Sequence, residues 1–143
     1  VSIGGNLLMN VGPTSRGEFD KRAQDALKVY ADWMHGNARS IYGCTMPEPG
    51  IEAPADCRLT QSADGKRLYI HIFAYPFIHL YLKGLAGKVD YAQFLHDGSE
   101  ILFEEGKVDH FSEGALEEES TLILKLPPVK PDVLVPVIEL FLK

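Results

Sequence analysis

Tyr69, His71, His79 and Tyr81 are the residues whose types and spacing best suit chemistry in this chain. Each pair is two residues apart, the repeat that puts side chains on one face of a strand. If the chain doubles back at Tyr75, Tyr69 lies opposite Tyr81, His71 opposite His79, and Phe73 opposite Phe77. A face of rings and imidazoles has two readings. It packs against a second sheet, the N-terminal segment or a neighbouring domain, or it stacks on the apolar faces of sugars. Two imidazoles suit a metal, but the sequence places no third ligand beside them, so we assign no metal and no cofactor. The same hairpin would pair Leu68 with Leu82, Ile70 with Leu80 and Ile72 with Ile78. That is a continuous apolar face, which a slip of one residue would destroy.

A second group of polar residues follows the run Gly4-Gly5-Asn6-Leu7-Leu8-Met9-Asn10-Val11-Gly12-Pro13. A short apolar run between turn residues reads as a buried strand. Asn10, Gly12 and Pro13 would close it, where loops of α/β enzymes carry ligand contacts. No carboxylate stands at that strand end. Asp32 precedes Trp33, but both fall on a helix.

Composition narrows the function classes. The 143 residues are 45% hydrophobic and 24% charged, enough for one good core. A complete (β/α)₈ barrel needs roughly 200 residues or more. The net charge of −6, with no basic patch, argues against nucleic acid as a partner. No apolar run approaches the ~20 residues of a membrane span. Cys44 and Cys57 read as two free thiols, with a disulfide closing the Pro-rich loop as the alternative. The chain begins with Val1 and reads as a piece of a longer protein, so it leaves the compartment open.

The elements that must position these residues follow in order. Ala23, Ala26, Leu27, Tyr30, Ala31 and Met34 form one helical stripe, and Gly36-Asn37 is a plausible stop. Trp33 reads as a packing residue at the helix edge. Residues 46–56, rich in Pro and Gly, read as a linker between a segment 1–45 and a domain 57–143. From Cys57 on, period-two strands alternate with turns: 58–62, 68–73, 78–82, 89–96, 101–104, 120–126 and 133–142. Ala63-Asp64-Gly65-Lys66 carries a hairpin signal. Pro136 suggests an edge position or a bulge for the last strand. Glu117-Glu118-Glu119 reads as a solvated loop. The fold class is therefore mainly β, an antiparallel β-sandwich preceded by one strand and one amphipathic helix.

The run Gly4–Thr14, a helix carrying Trp33, and Ile41-Tyr42-Gly43 together resemble the end of the catalytic barrel in α-L-fucosidases of glycoside hydrolase family 29. Residues 57–143 look like the C-terminal β-sandwich of that family, with Leu68–Phe73 and the Gly84-Leu85 turn followed by Val89. Gly17-Glu18-Phe19 departs from the family's Gly-x-Ile-Pro run before the helix. The resemblance implies that the opening strand and helix are left over from a (β/α)₈ barrel. It also implies a parent that is a retaining hydrolase, removing terminal α-L-fucose from glycans through a carboxylate nucleophile and an acid/base group. Neither catalytic position falls in this sequence, so no catalytic residue is assigned and the chain alone is expected to be inactive. Asn6, Asn10, Thr14 and Arg16 would lie near the barrel mouth, with a structural role for Asn10 foremost. The parent would be secreted, periplasmic or lysosomal. The alternative function is a carbohydrate-binding module using Tyr69, His71, His79 and Tyr81.

A strand made for a closed barrel leaves its backbone groups unpaired once its neighbours are gone. Ile3–Val11 is therefore expected to lack order, to fold onto the sandwich, or to pair with a second copy in a dimer. The Leu27/Tyr30/Met34 stripe should lie on the sandwich or on that second chain.

Overall fold

The computed structural model describes residues 1–107 and 120–143. The helix α1 spans Lys21–Asn37. Asp20 starts it: its carboxylate accepts from the Ala23 N–H at 2.7 Å, satisfying one of the donors that a first turn leaves free. Lys28 and Asp32, one turn apart, pair at 2.8 Å, and Lys21 pairs with Asp25 in the same way. A 3₁₀ turn, Ala38–Ser40, carries the chain out of the helix.

Among the described residues eight strands follow: β1 Cys44–Thr45, β2 Cys57–Ser62, β3 Arg67–Ile72, β4 His79–Lys83, β5 Val89–Phe94, β6 Phe103–Lys107, β7 Ser120–Lys125 and β8 Val137–Leu142. They form a five-stranded sheet, β1-β2-β3-β8-β5, and a three-stranded sheet, β4-β7-β6, with every pairing antiparallel. Among the described residues the fold is thus the mainly β sandwich that period-two patterning predicts. Leu59, Leu68, Ile70, Ile72, Ile138 and Leu140 of the first sheet meet Leu80, Leu82, Leu122 and Leu124 of the second in one buried core. Removing each such side chain from water contributes about 1.5–3 kcal/mol.

Three expectations are corrected. First, no strand forms in residues 4–13. Leu7 and Leu8 are 81% and 88% exposed, and among the described residues the segment pairs with none of the strands. Second, β3 and β4 are not a hairpin. β3 pairs with β2 on one side and with β8 on the other, while β4 pairs with β7 in the opposite sheet. The tight Asp64-Gly65 turn delivers β2 to one edge of β3, with Gly65 at φ +73°. β8 takes the other edge, so the connection through Tyr75 crosses between the sheets. Ile78 adopts φ +64° at this crossing, a conformation that a β-branched residue rarely takes. Leu68, Ile70 and Ile72 do face Leu80 and Leu82, but across the core rather than side by side. Third, β8 is not an edge strand. It lies between β3 and β5, and Pro136 sits just before it, where its missing N–H costs no ladder bond. The irregularity falls instead on β5, between Val89 and Tyr91.

The expected linker 46–56 carries no regular element, although β1 just before it already belongs to the larger sheet through β2. Cys44 and Cys57 are free thiols. Glu117-Glu118-Glu119 lies outside the described residues. No helix among the described residues is long and apolar enough to cross a membrane.

Candidate functional site at the helix–sandwich junction

The outer face of the five-stranded sheet is where polar side chains are buried. The end of α1 and the 3₁₀ turn cover it. Trp33 anchors the contact: its indole N–H donates to the Val135 carbonyl at 2.8 Å, and its ring lies 6.1 Å from the His71 ring. Tyr69, Leu95 and Val137 pack with it in a second small apolar cluster. The rest of the helical stripe packs less. Leu27 and Met34 are half-buried, whereas Tyr30 stays exposed. Only the final turns of α1 reach the sheet.

Below Trp33 runs a chain of hydrogen bonds. Asn37 Nδ2 donates to the Trp33 carbonyl at 3.0 Å, Ser40 Oγ donates to the Asn37 carbonyl at 2.7 Å, and Thr60 Oγ1 donates to the Ser40 carbonyl at 2.6 Å. His71 Nε2 lies 3.1 Å from that same Thr60 hydroxyl. Since the hydroxyl proton is already given to Ser40, Nε2 must carry the proton and donate to Thr60. Burial, followed by the positive amino group of Val1, pushes the His71 pKa down to about 4. The imidazole is therefore neutral at physiological pH.

A second polar centre lies beside the first. Glu139, in the middle of β8, stands opposite Tyr69 of β3 and Gln93 of β5. Only 2% of it is exposed. Its Oε2 accepts from Arg39 Nη2 and from Gln93 Nε2, both at 2.7 Å. Arg67 Nε approaches Oε1 to 3.8 Å, and the Arg67 guanidinium lies 3.8 Å above the centre of the Phe141 ring. Burial first, and the Glu139 charge second, push the Tyr69 phenol up to about 12, so it remains protonated. These groups floor an open cleft of about 650 Å³ between the helix exit, at Arg39 and Gly43, and the β2–β3 turn, at Asp64 and Lys66.

The four residues singled out from the sequence are thus divided. Tyr69 and His71 are buried on the outer face of the larger sheet beneath the helix exit. His79 and Tyr81 lie on β4 of the other sheet, their rings 6.1 Å apart, with Tyr81 47% exposed. Of the four, only Tyr69 lines the cleft. Asn10 and Arg16 are exposed and meet none of these groups. Arg16 belongs to a local turn, its N–H donating to Thr14 Oγ1 at 3.3 Å. Among the described residues, no group of three His, Cys, Asp or Glu side chains is placed to hold a metal ion.

Sequence reasoning missed Glu139. Its signal was present: a lone carboxylate inside Val137-Ile138-Glu139-Leu140-Phe141-Leu142 has to find partners if that strand is buried. Glu139→Ala is expected to lower stability by about 2 kcal/mol in urea denaturation. That is less than the ~3–5 kcal/mol of a fully buried pair, because Arg39, 59% exposed, can return its charge to water. Glu139→Gln, which keeps an acceptor for Arg39, should lose about half as much.

The family model for Alpha-L-fucosidase matches residues 1–39. Over 97% of its length the chain superposes on α-L-fucosidase isoenzyme 1 from Paenibacillus thiaminolyticus, with 34% identity and a TM-score of 0.79. The α-fucosidase of Thermotoga maritima, solved with a mechanism-based inhibitor, matches 96% of the chain at 20% identity and a TM-score of 0.70. The α-L-fucosidase of Vibrio sp. strain EJY3 matches 94% at 17% identity and a TM-score of 0.73. These last two show the fold alone. The chain spans only 31%, 30% and 22% of those three proteins. No curated protein matches the chain by sequence.

Proposed function

This chain matches the C-terminal portion of α-L-fucosidases of glycoside hydrolase family 29, and from that premise we propose its role in a longer parent protein. The parent is a retaining glycosidase that removes terminal α-L-fucose from glycans. This chain supplies the end of the catalytic barrel and the β-sandwich that packs against it. The observation that carries this reading is the 34% identity sustained over 97% of the chain. The exposed run Ile3, Leu7 and Leu8 supports it, being an apolar segment with no sheet of its own. The Trp33 anchor supports it as well, since it holds the last helix against the sandwich.

Catalysis of this kind needs two carboxyl groups held at a fixed separation. The family resemblance places neither of them in this sequence. Its role is accessory, positioning the last barrel elements. With an aryl α-L-fucoside as substrate, the chain alone should release no aryl alcohol above the buffer rate, and the full-length parent should turn it over. Turnover by the chain alone, or a parent that releases a different sugar and no fucose, would overturn the reading. Separated from the barrel, residues 3–11 and the exposed face of α1 pair with a second copy. Sedimentation should then show a concentration-dependent dimer.

A further inference from the structure

The cleft over Glu139 is a built polar site that the fucosidase reading does not use. We propose that it binds an acidic sugar, a hydroxylated ring bearing a carboxylate or sulfate.

The argument begins with charge. The chain carries −6 overall, yet the cleft brings together three cations, Arg39, Lys66 and Arg67, against two carboxylates, Asp64 and Glu139. Asp64 is committed locally. Its carboxylate accepts from Ser62 Oγ at 2.6 Å and from the Lys66 N–H at 3.0 Å, and these bonds hold its pKa below the usual carboxylate range. Glu139 is committed to Arg39 and Gln93 through one oxygen, Oε2. Arg39 spends one N–H on that bond, so the rest of its fork faces outward from a side chain 59% exposed. The Lys66 ammonium has no hydrogen-bond partner among the described residues. The rim is therefore cationic.

The floor asks for something different. Arg39 and Gln93 donate to the Glu139 carboxylate and the Tyr69 phenol donates to it as well, while Arg67 Nε at 3.8 Å from Oε1 is too far for a hydrogen bond, so of about four acceptor sites one is left. A simple anion driven against this carboxylate would be repelled, whereas a hydroxyl would donate to it. Gln93 and Tyr69 add polar groups beside it. A ligand that answers both rim and floor carries hydroxyls at one end and a negative group at the other. The cleft volume, about 650 Å³, falls within the roughly 300–1,000 Å³ of small-molecule sites. The cleft also lies between the helix exit and the sandwich, and junctions of this kind are preferred ligand positions. The site needs no turnover by the parent, so its failure and the failure of the fucosidase reading are separate results.

The test is a titration of this chain, followed by amide and side-chain NMR, with three probes at the same low ionic strength: D-glucuronate, D-glucose and inorganic sulfate. Glucuronate should shift the Gln93 side-chain amide and the backbone amides of Ser62–Arg67 saturably. Glucose and sulfate should bind several-fold more weakly, since each answers only half of the site. Lys66→Gln, at an exposed position outside the Glu139 network, should keep the fold and weaken glucuronate about threefold. Arg39→Gln should weaken it about tenfold, the loss of one charge-assisted hydrogen bond. Sulfate or glucose binding as well as glucuronate would overturn the proposal. So would a folded Lys66→Gln protein of unchanged affinity, or the absence of any saturable shift.

Discussion

Trp33→Ala lowers the unfolding free energy of this chain by about 3 kcal/mol, the low end of the range for removing a packed Trp. Two losses add. The ring gives up its contacts with His71, Tyr69, Leu95 and Val137, and the Val135 carbonyl loses its donor at 2.8 Å. The value sits at the low end because the side chain is only partly buried. Trp33→Phe separates the two contributions. It keeps most of the ring and should cost about 1 kcal/mol, the net worth of the lost hydrogen bond plus a small packing term. Circular dichroism in urea reads both variants. Hydrogen exchange provides the local readout: in Trp33→Ala the α1 amides should exchange faster than those of β3 and β8, because the helix loses its anchor while the core keeps its own. A loss below 1 kcal/mol for Trp33→Ala would mean that the helix is held elsewhere.

Acid should unfold this chain through His71. An unfolded His titrates near 6.5, and the folded one at about 4. Between those values the unfolded state binds a proton that the folded state refuses, so stability falls as the pH is lowered through this window. Above about pH 6.5 the contribution is complete, and below about pH 4 no further loss comes from this group. A separation of this size amounts to on the order of 3 kcal/mol across the window. The geometry gives the cause. A protonated ring would have to place its second N–H and its charge beneath Trp33, in a site that offers little solvent. His71→Gln keeps a donor for Thr60 and cannot titrate. Its stability should depend on pH by about one proton less than the parent chain between pH 4 and pH 6.5, measured by urea denaturation at a series of pH values. Identical pH profiles for the two proteins would rule His71 out as the acid-sensitive group.

Much of the architecture was legible locally. The alternation of Leu68, Ile70 and Ile72 with Tyr69 and His71 correctly marks which side chains enter the core between the sheets. Asp64-Gly65 marks the β2–β3 hairpin, and the 3–4 spacing from Ala23 to Met34 marks α1. These features depend on side-chain period and on backbone preferences within a few residues. The N-terminal run carries the family resemblance by residue identity alone, although no strand forms there.

Strand pairing was not legible in the same way. β3 could take β4 as its neighbour by sequence proximity, and the apolar face would have been equally continuous. β2 and β8 claim both of its edges instead, and β8 comes from the far end of the chain. That competition divides Tyr69 and His71 from His79 and Tyr81, and with them the single aromatic face.

The sequence by itself determined which residues turn inward, where the turns and the helix fall, and which family the chain resembles. Each of these follows from side-chain period, turn chemistry or residue identity. Only the tertiary structure decided that Glu139 meets Arg39, Gln93 and Arg67, that His71 lies buried under Trp33, and that residues 4–13 find no sheet. The physical reason is the same in all three cases. A buried charge, a desolvated imidazole and an unpaired strand are defined by partners that lie distant in the chain or outside it, and local pattern carries no record of those partners.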